Sequence, residues 1–465
     1  MASRGRIGWS KFRYRGSELS LLGAKSRTAP PQRELKQGLR ANWAQVALQV
    51  VLVFCVGLTI GTERTVVPLI GSTTFHVKSY TYIASFVISF ALVKAVLNLV
   101  AGRLSERRGR KPMMIAGWVA AIPIPILIIA APDWSWVVLA NVLLGINQGL
   151  CWSMAVNAKI DLIGAARRGL AVGIDEAGGY GGVAVAALVT GYLAAAYGLR
   201  PAPFIFAIAE IVIALGLSLT LMEETLPYAH LEGNRHGASN LNGPQPSFRE
   251  IFILTSVRDR TLFALNQAGL VEKFVDALVW VAYPLYFASR HLPVEQIGAV
   301  VFSYGIVWGL VQVPAGHLSD VIGRKIISVA GMVLCGLGVL LVPLVDGLGP
   351  WLAAAALTGF GMALLYPTLQ TAAADAAPPM WRATSLGVYR FWRDSGYVFG
   401  ALFLGFLANR SGLTASFFGV AIAMFISAGV LAILMPETRP PEPKAGVGSQ
   451  VVVGEVSGAR KEVKP

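Results

Sequence analysis

With 465 residues, 55% of them hydrophobic and only 14% charged, the chain lies outside the composition of soluble proteins, in which roughly a quarter of residues carry charge. A net charge of +14 invites a nucleic-acid reading, but the placement of the basic residues excludes it. The three cysteines, Cys55, Cys151 and Cys335, all sit in apolar runs and fit neither a disulfide framework nor a metal site, so no metal or cofactor is expected.

Residues 1–43 form a basic tail with no apolar core, so no cleavable signal peptide is expected; its Arg-rich, acid-poor composition could pass for an organelle-targeting segment, but binding to anionic headgroups explains it with less. Twelve apolar stretches follow, at 44–71, 79–101, 112–131, 135–158, 169–196, 202–222, 261–288, 297–316, 325–343, 350–373, 384–408 and 414–435. Each is about 20 residues or longer, enough at 1.5 Å per residue to cross about 30 Å of hydrocarbon. The predicted fold class is therefore an all-α membrane protein with twelve transmembrane helices. A Gly-, Asn- and Pro-rich segment, 223–260, separates the first six spans (44–222) from the last six (261–435) and reads as a linker whose end, "SFREIFILTSVRDR", forms a short interfacial helix. Residues 436–465 are a second tail.

With the N-terminus placed in the cytoplasm, the inner segments hold the basic tail, the cluster "GRLSERRGRKPM" at 102–113, Lys159, Arg167, Arg168, Arg235, Arg249, Arg258, Arg260, Arg324, Lys325 and Arg382. The outer loops hold only Lys78, Arg200, Arg290 and Arg410. This asymmetry is the positive-inside signal; it predicts a plasma-membrane protein with both termini in the cytoplasm.

Sliding the chain by 214 positions pairs Gly102 with Gly316, Ser105 with Ser319, Glu106 with Asp320, Gly109 with Gly323, Arg110 with Arg324 and Lys111 with Lys325. The same offset pairs Gly145 with Gly359, Trp152 with Tyr366, Asp161 with Asp375, Arg168 with Arg382 and Gly182 with Gly396. "MEETLP" at 222–227 and "MPETRP" at 435–440 close the two halves alike. The chain is a duplicated unit, and a duplicated six-helix unit is a transporter pattern with its binding site near midplane, where the halves meet.

The pattern G-x-L-x-D-x-x-G-R-K after the second span, repeated after the eighth, resembles the signature loop of the major facilitator superfamily, and with the six-plus-six repeat the resemblance covers nearly the whole chain. Glu106 stands where the pattern has Asp, which keeps the carboxylate. The resemblance implies two pseudo-symmetric six-helix bundles and a monomer. It also implies a conformational latch, in which Glu106 docks near Arg382 and Asp320 near Arg168 at helix starts whose free N–H groups favour an anion. Gly102, Gly109, Gly316 and Gly323 would allow close approach and a tight turn, while Arg110, Lys111, Arg324 and Lys325 would meet headgroups; plain topology anchoring is the alternative.

Ionisable residues at membrane depth cost at least about 2.5 kcal/mol each, so they need a partner, water or a function. Span one carries Glu63 and Arg64, span two Lys94, span five Asp175 and Glu176, span seven Glu272, Lys273 and Asp276, and span eleven Arg390, Arg393 and Asp394. Helix rise places Glu176 and Arg390 about 12 Å inside the cytoplasmic edge, and Glu272 and Asp276 near midplane. In "GVYRFWRDSGY", Arg390, Arg393, Asp394 and Tyr397 form a polar stripe. By the family's arrangement, Lys94 and Asp394 meet across the seam. The six acids are candidate proton carriers, with Glu176, Glu63 and Asp394 preferred, and structural ion pairing is the competing account. Arg64, Lys94, Arg390, Arg393 and Tyr397 are candidate solute contacts, joined by Asn147, Gln148, Trp152, Asn157, Tyr366, Gln370, Asn98 and Gln312. "GGYGG" at 178–182 reads as close helix packing rather than a phosphate loop, since no strand precedes it. It loosely resembles the family's antiporter motif but lacks the proline.

The function expected is proton-coupled secondary transport of a small organic solute, with export by antiport as the leading form. Proton-linked uptake of an organic anion is the alternative, and a non-transporting sensor on the same fold is the third reading. Partners are the solute, protons and membrane lipids, without nucleic acid. No nucleophile–base spacing, metal cluster or phosphate loop suggests an enzyme.

Overall fold

A computed structural model describes residues 35–164, 167–229, 247–378 and 381–439; within these ranges the side chains of a few residues, Glu106 and Arg168 among them, lie outside the description. Most of the basic tail, the middle of the linker and nearly all of the C-terminal tail lie outside the described residues. Among the described residues, twelve long helices carry the fold. The first six are α1 (Trp43–Leu69, continued by a wider turn, Ile70–Thr74), α2 (Ser85–Arg108), α3 (Arg110–Ala121, resumed at Pro123–Ala130), α4 (Trp134–Ile163), α5 (Arg168–Tyr197) and α6 (Ala202–Thr220). The last six are α7 (Arg260–Ser289), α8 (Val294–Ile322), α9 (Arg324–Leu341), α10 (Leu348–Ala376), α11 (Arg382–Ser411) and α12 (Leu413–Leu434). The described residues contain no strand.

Among the described residues, nine helices are long and apolar enough to cross a membrane by length and composition. The remaining three long helices, α2, α7 and α11, are the ones whose middles carry Lys94, the Glu272–Lys273–Asp276 group and the Arg390–Arg393–Asp394 group. A membrane helix keeps such charges only where they are turned away from lipid.

The packing repeats with the sequence. α1 lies along α5 as α7 lies along α11, and α2 along α4 as α8 along α10. Glycines set the first of these distances: a Cβ on Gly57 or Gly182 would run into the facing backbone of α5 or α1, and one on Gly396 into that of α7. This is the packing role expected of the Gly-rich run in α5. The halves join along two seams, α5 against α8 and α2 against α11, with α1 also touching α7.

The turns between α2 and α3 and between α8 and α9 mark one face of the bundle, called here the loop face. Gly109 (φ +93°) and Gly323 (φ +122°) occupy backbone conformations that L side chains rarely adopt. Each also lies against a carboxylate, Glu224 or Glu437, that a Cβ would strike. Glu224 accepts hydrogen bonds from the backbone N–H groups of Arg110 (2.8 Å) and Lys111 (3.1 Å), and Glu437 from those of Arg324 (2.8 Å) and Lys325 (3.2 Å). The two similar closing motifs thus cap the N-termini of α3 and α9. Partial burial disfavours charge on Glu437, but backbone donors from Arg439, Arg324 and Lys325 outweigh it and hold its carboxyl below the usual range.

The loop arginines depart from the headgroup role expected of them. Arg110 and Arg324 are buried, reaching Asp161 at 3.1 Å and Asp375 at 3.3 Å, with Ser105 and Ser319 accepting from their other nitrogens. A guanidinium so close to a carboxylate on the neighbouring helix makes a charge-assisted hydrogen bond there that headgroup contact would have to replace. Exposed Asp320 pairs with Arg324 of its own turn at 2.5 Å.

The seams are not uniform. Away from the loop face, Gly191 and Gly298 bring α5 and α8 into backbone contact, and Asn409 of α11 holds the chain ahead of α2 through Tyr80 N–H and the Thr81 hydroxyl, both at 2.8 Å. Toward the loop face, a Cβ on Gly173 would meet nothing closer than Val313 at 3.7 Å. Among the described residues, hydrogen bonds between the halves run only from mid-depth to the far face.

Candidate functional site

Where the seams loosen, a pocket with about 430 Å³ of empty volume lies between the halves. Its walls come from five helices, most of them offering residues one turn apart: Lys94 and Asn98 on α2, Trp152, Ser153 and Val156 on α4, Glu176 and Tyr180 on α5, Tyr366 and Gln370 on α10, Arg390 and Arg393 on α11. Spacing of i, i+3 or i, i+4 puts the residues of each pair on one helix face, so five short stripes, most of them polar, converge.

Charges in the pocket are unevenly satisfied. Arg393 holds Asp394 at 2.9 Å and donates to the Tyr366 hydroxyl at 2.7 Å, and Asp394 also takes a short hydrogen bond from Asn98 across the α2–α11 seam. Glu176 accepts from the Trp152 indole at 3.4 Å, while its second oxygen accepts nothing. Among the described residues, neither Lys94 nor Arg390 has a carboxylate at ion-pair distance. The Lys94 ammonium instead lies 5.5 Å from the ring centres of Phe90 and Trp152 and 5.9 Å from that of Tyr397. Lys94 and Asp394, expected to meet, are thus held apart by closer partners for the acid.

Beneath the pocket, toward the far face, lies a second buried charge cluster. Arg64 of α1 reaches Asp276 of α7 at 2.5 Å; Tyr397 makes a short hydrogen bond to the same carboxylate, and Tyr304 donates to it at 3.4 Å. Lys273 lies 3.5 Å from Asp276 and 3.8 Å from Glu272. Aromatic rings partition the two layers: Tyr180 stacks on Trp308 at 3.6 Å, and the Lys273 ammonium lies 4.8 Å from the Tyr366 ring and 4.9 Å from that of Trp308.

The pocket therefore gathers Glu176, Lys94, Asn98, Trp152, Tyr366, Gln370, Arg390 and Arg393 of the predicted residues, with Asp394 behind Arg393 and Arg64, Asp276, Glu272 and Tyr397 in the layer below. Others lie elsewhere. Asn147 and Gln148, expected to line the cavity, instead bond backbone carbonyls inside the first bundle, Gly117 at 3.1 Å and Val56 at 2.9 Å. A buried amide N–H needs an acceptor, and a helix carbonyl can accept a second hydrogen bond. Asp175 turns from the pocket to Lys159, 2.6 Å away. Lys159 is itself fully buried, not the loop residue its charge suggested. Glu63 is buried beside Asn141 of α4, away from the pocket. Arg382 is exposed at the loop face.

Sequence reasoning missed Ser153, Val156 and Tyr180 as pocket residues, and Glu210 as a buried acid. For Tyr180, the i, i+4 spacing from Glu176 was the available signal. Glu210 of α6 takes a 2.7 Å hydrogen bond from Thr59.

A duplicated twelve-helix bundle with a polar pocket on the seam between its halves is the architecture of a membrane carrier. The comparisons agree. The model of the Major Facilitator Superfamily matches residues 51–269 and again 265–463, and the chain belongs to that family. It is similar to a protein of Burkholderia pseudomallei (strain 1106a) described as an uncharacterized MFS-type transporter, 26% identical over 395 residues that span 82% of this chain and 90% of that one. A Salmonella typhimurium protein described in the same words is 24% identical over 392 residues, covering 81% of this chain and 93% of the other. Among solved structures, a point mutant of the nucleoside transporter NupG shares the fold with a TM-score of 0.66 at 12% identity, over 83% of this chain and 98% of that one. The protein is a multi-pass membrane transporter, and its family and fold are those of transporters rather than enzymes.

Proposed function

We propose that the protein is a proton-coupled secondary transporter that moves a small organic anion together with a proton, by alternating exposure of the pocket to the two sides of the membrane. One observation carries this reading: Glu176 shares a pocket wall with two cations, Lys94 and Arg390, that have no carboxylate partner among the described residues. When ionised, Glu176 competes with an anionic solute for those cations. When protonated, it does not. Proton and anion therefore favour each other's binding, and linkage makes the effect reciprocal. Mutual reinforcement is the sign required for movement in one direction. Export by antiport needs proton and solute to exclude each other, which a pocket of net positive charge supports less well.

The distribution of basic residues supports a cytoplasmic loop face, both termini on that side and a plasma-membrane location. The arrangement described is then the state open to the cytoplasm. In the opposite state Glu106 would engage Arg382 and Asp320 would engage Arg168 as the two bundles, 44–222 and 261–435, pivot as monomeric halves. Asp320 would leave Arg324 to do so.

The test is solute transport by the full chain in proteoliposomes that enclose a pH-sensitive dye. Anion entry should acidify the lumen. Glu176→Gln should lose accumulation driven by a pH gradient while keeping solute-for-solute exchange. Lumen alkalinisation on solute entry would instead establish antiport and overturn the reading.

A further inference from the structure

We propose that the transported anion is a small ring-bearing monocarboxylate, carried with one proton per molecule in an electrically neutral step. The inference rests on the transport reading above and adds the solute's chemical class and its stoichiometry.

Charge balance argues for a single negative charge. Arg393 and Asp394 neutralise each other, leaving Lys94, Arg390 and Glu176 as the groups that set the charge of the empty pocket. With Glu176 ionised that charge is +1. Adding one proton and one monocarboxylate leaves it at +1. A carrier must reorient both empty and loaded, and any difference in charge between the two forms adds a cost in hydrocarbon and a dependence on membrane potential. A dicarboxylate with one proton, or an amine, would break the equality. The other charged and titratable groups facing Glu176 are Asp175 and Tyr180 on its own helix, Lys159 on α4, held by Asp175, and Tyr366 on α10. None of these changes the count, because Asp175 and Lys159 form their own pair and the two tyrosines are neutral.

Aromatic geometry argues for the ring. Trp152, Tyr180 and Tyr366 meet edge to face across the pocket, at 5.4 Å for Trp152–Tyr180 and 5.7 Å for Tyr180–Tyr366. Such an arrangement offers flat, apolar faces to a planar guest. Lys94 lies over the Trp152 ring, so a guest stacked there has its carboxylate within reach of an ammonium, while Arg390 approaches from the opposite half of the protein. A guanidinium can take a carboxylate in two parallel hydrogen bonds. The solute would then bridge α2 and α11 through one functional group.

The experiment uses the full chain in proteoliposomes with three probes: 4-hydroxybenzoate, its neutral amide and benzene-1,4-dicarboxylate, each corrected for leak into protein-free vesicles. Entry of 4-hydroxybenzoate should follow an inward proton gradient and be unaffected by a potassium diffusion potential of either sign. The amide and the dianion should be carried at least tenfold less well. Arg390→Gln and Lys94→Gln should each raise KM at least tenfold, with partial rescue in Arg390→Lys, which also controls for folding. Potential-driven entry, or equal transport of the amide, overturns the proposal. A parallel measurement separates its failure from that of the transport reading. In Ser153→Cys, whose only other cysteines are buried, an impermeant maleimide applied from each side reports which face the pocket meets. Labelling from both sides without aromatic carboxylate transport would discard the solute class and leave the carrier. Labelling from one side only, whatever the conditions, would discard both.

Discussion

Arg64 on α1 and Asp276 on α7 approach to 2.5 Å with side chains 1% and 0% exposed, and theirs is the one ion pair between the halves among the described residues. It lies on the tight side of the pocket, where the Tyr397 and Tyr304 hydroxyls share the same carboxylate. Removing one partner leaves a desolvated charge, a loss of about 3–5 kcal/mol. Arg64→Leu or Asp276→Leu should therefore lower the thermal unfolding midpoint in detergent sharply, whereas the double variant should recover part of the loss. Additive single losses in this double-mutant cycle would show that the pair does not act as a unit.

Gly323 and Glu437 give a second test. Alanine at Gly323 meets both an unfavourable φ and the Glu437 carboxylate, so Gly323→Ala should destabilise by about 1–3 kcal/mol. Gly109→Ala, in the matching turn against Glu224, should do the same. Thermal unfolding of the two variants in detergent reads both. A wild-type midpoint for either variant would mean that the turn relaxes freely.

The same carboxylate predicts a pH dependence. Backbone donors hold Glu437 below the ordinary glutamate value, so the folded state binds its proton less readily than the unfolded state does. Its contribution to stability is complete above the unfolded value and disappears as pH falls through the lower folded value. The difference in stability between wild type and Glu437→Gln should thus be constant near neutrality and shrink in acid. A difference that grew on acidification would contradict the capping role.

Much of this architecture was legible in the chain because hydrocarbon is a severe solvent. Apolar runs of fixed length can only be helices there, and the 214-residue offset revealed the duplication without any structure. The pocket was half legible: Lys94, Glu176, Arg390 and Arg393 are costly at membrane depth, so their presence was itself the signal. Amides and small residues send no such signal. Asn147 and Gln148 find carbonyls 30 and 92 residues away, and Lys159 finds Asp175 on the next helix, choices set by packing. The caps by Glu224 and Glu437 stayed hidden for the same reason, although their motifs were visible.

Asn147 consequently separates a structural amide from a pocket amide. Asn147→Ala would leave the Gly117 carbonyl without its side-chain donor, a loss of about 1–3 kcal/mol. Asn98→Ala should cost less stability, since Asp394 keeps Arg393, but should alter solute binding because Asn98 lines the pocket. Thermal unfolding and the KM of the same variants provide the two readouts. The opposite pattern, with KM moved by Asn147 and stability by Asn98, would return Asn147 to the pocket.

The aromatic partition beneath the pocket yields the last prediction. Lys273 is buried with its ammonium near Trp308, Tyr366 and Tyr397, and its ion pairs to Asp276 and Glu272 are long. The rings therefore supply part of what solvates this cation, at about 2 kcal/mol for a desolvated contact. Trp308→Phe keeps a ring face toward the ammonium and should lose less than half the stability lost by Trp308→Leu, although leucine and phenylalanine are both apolar. Tyr180, stacked on Trp308 at 3.6 Å and 28°, should show the same ordering for Phe against Leu. The two leucine variants should be less than additive, because each removes a ring that supports the other. Equal losses for phenylalanine and leucine would reduce the wall to a matter of filled volume, and the lysine would then depend on its carboxylates alone.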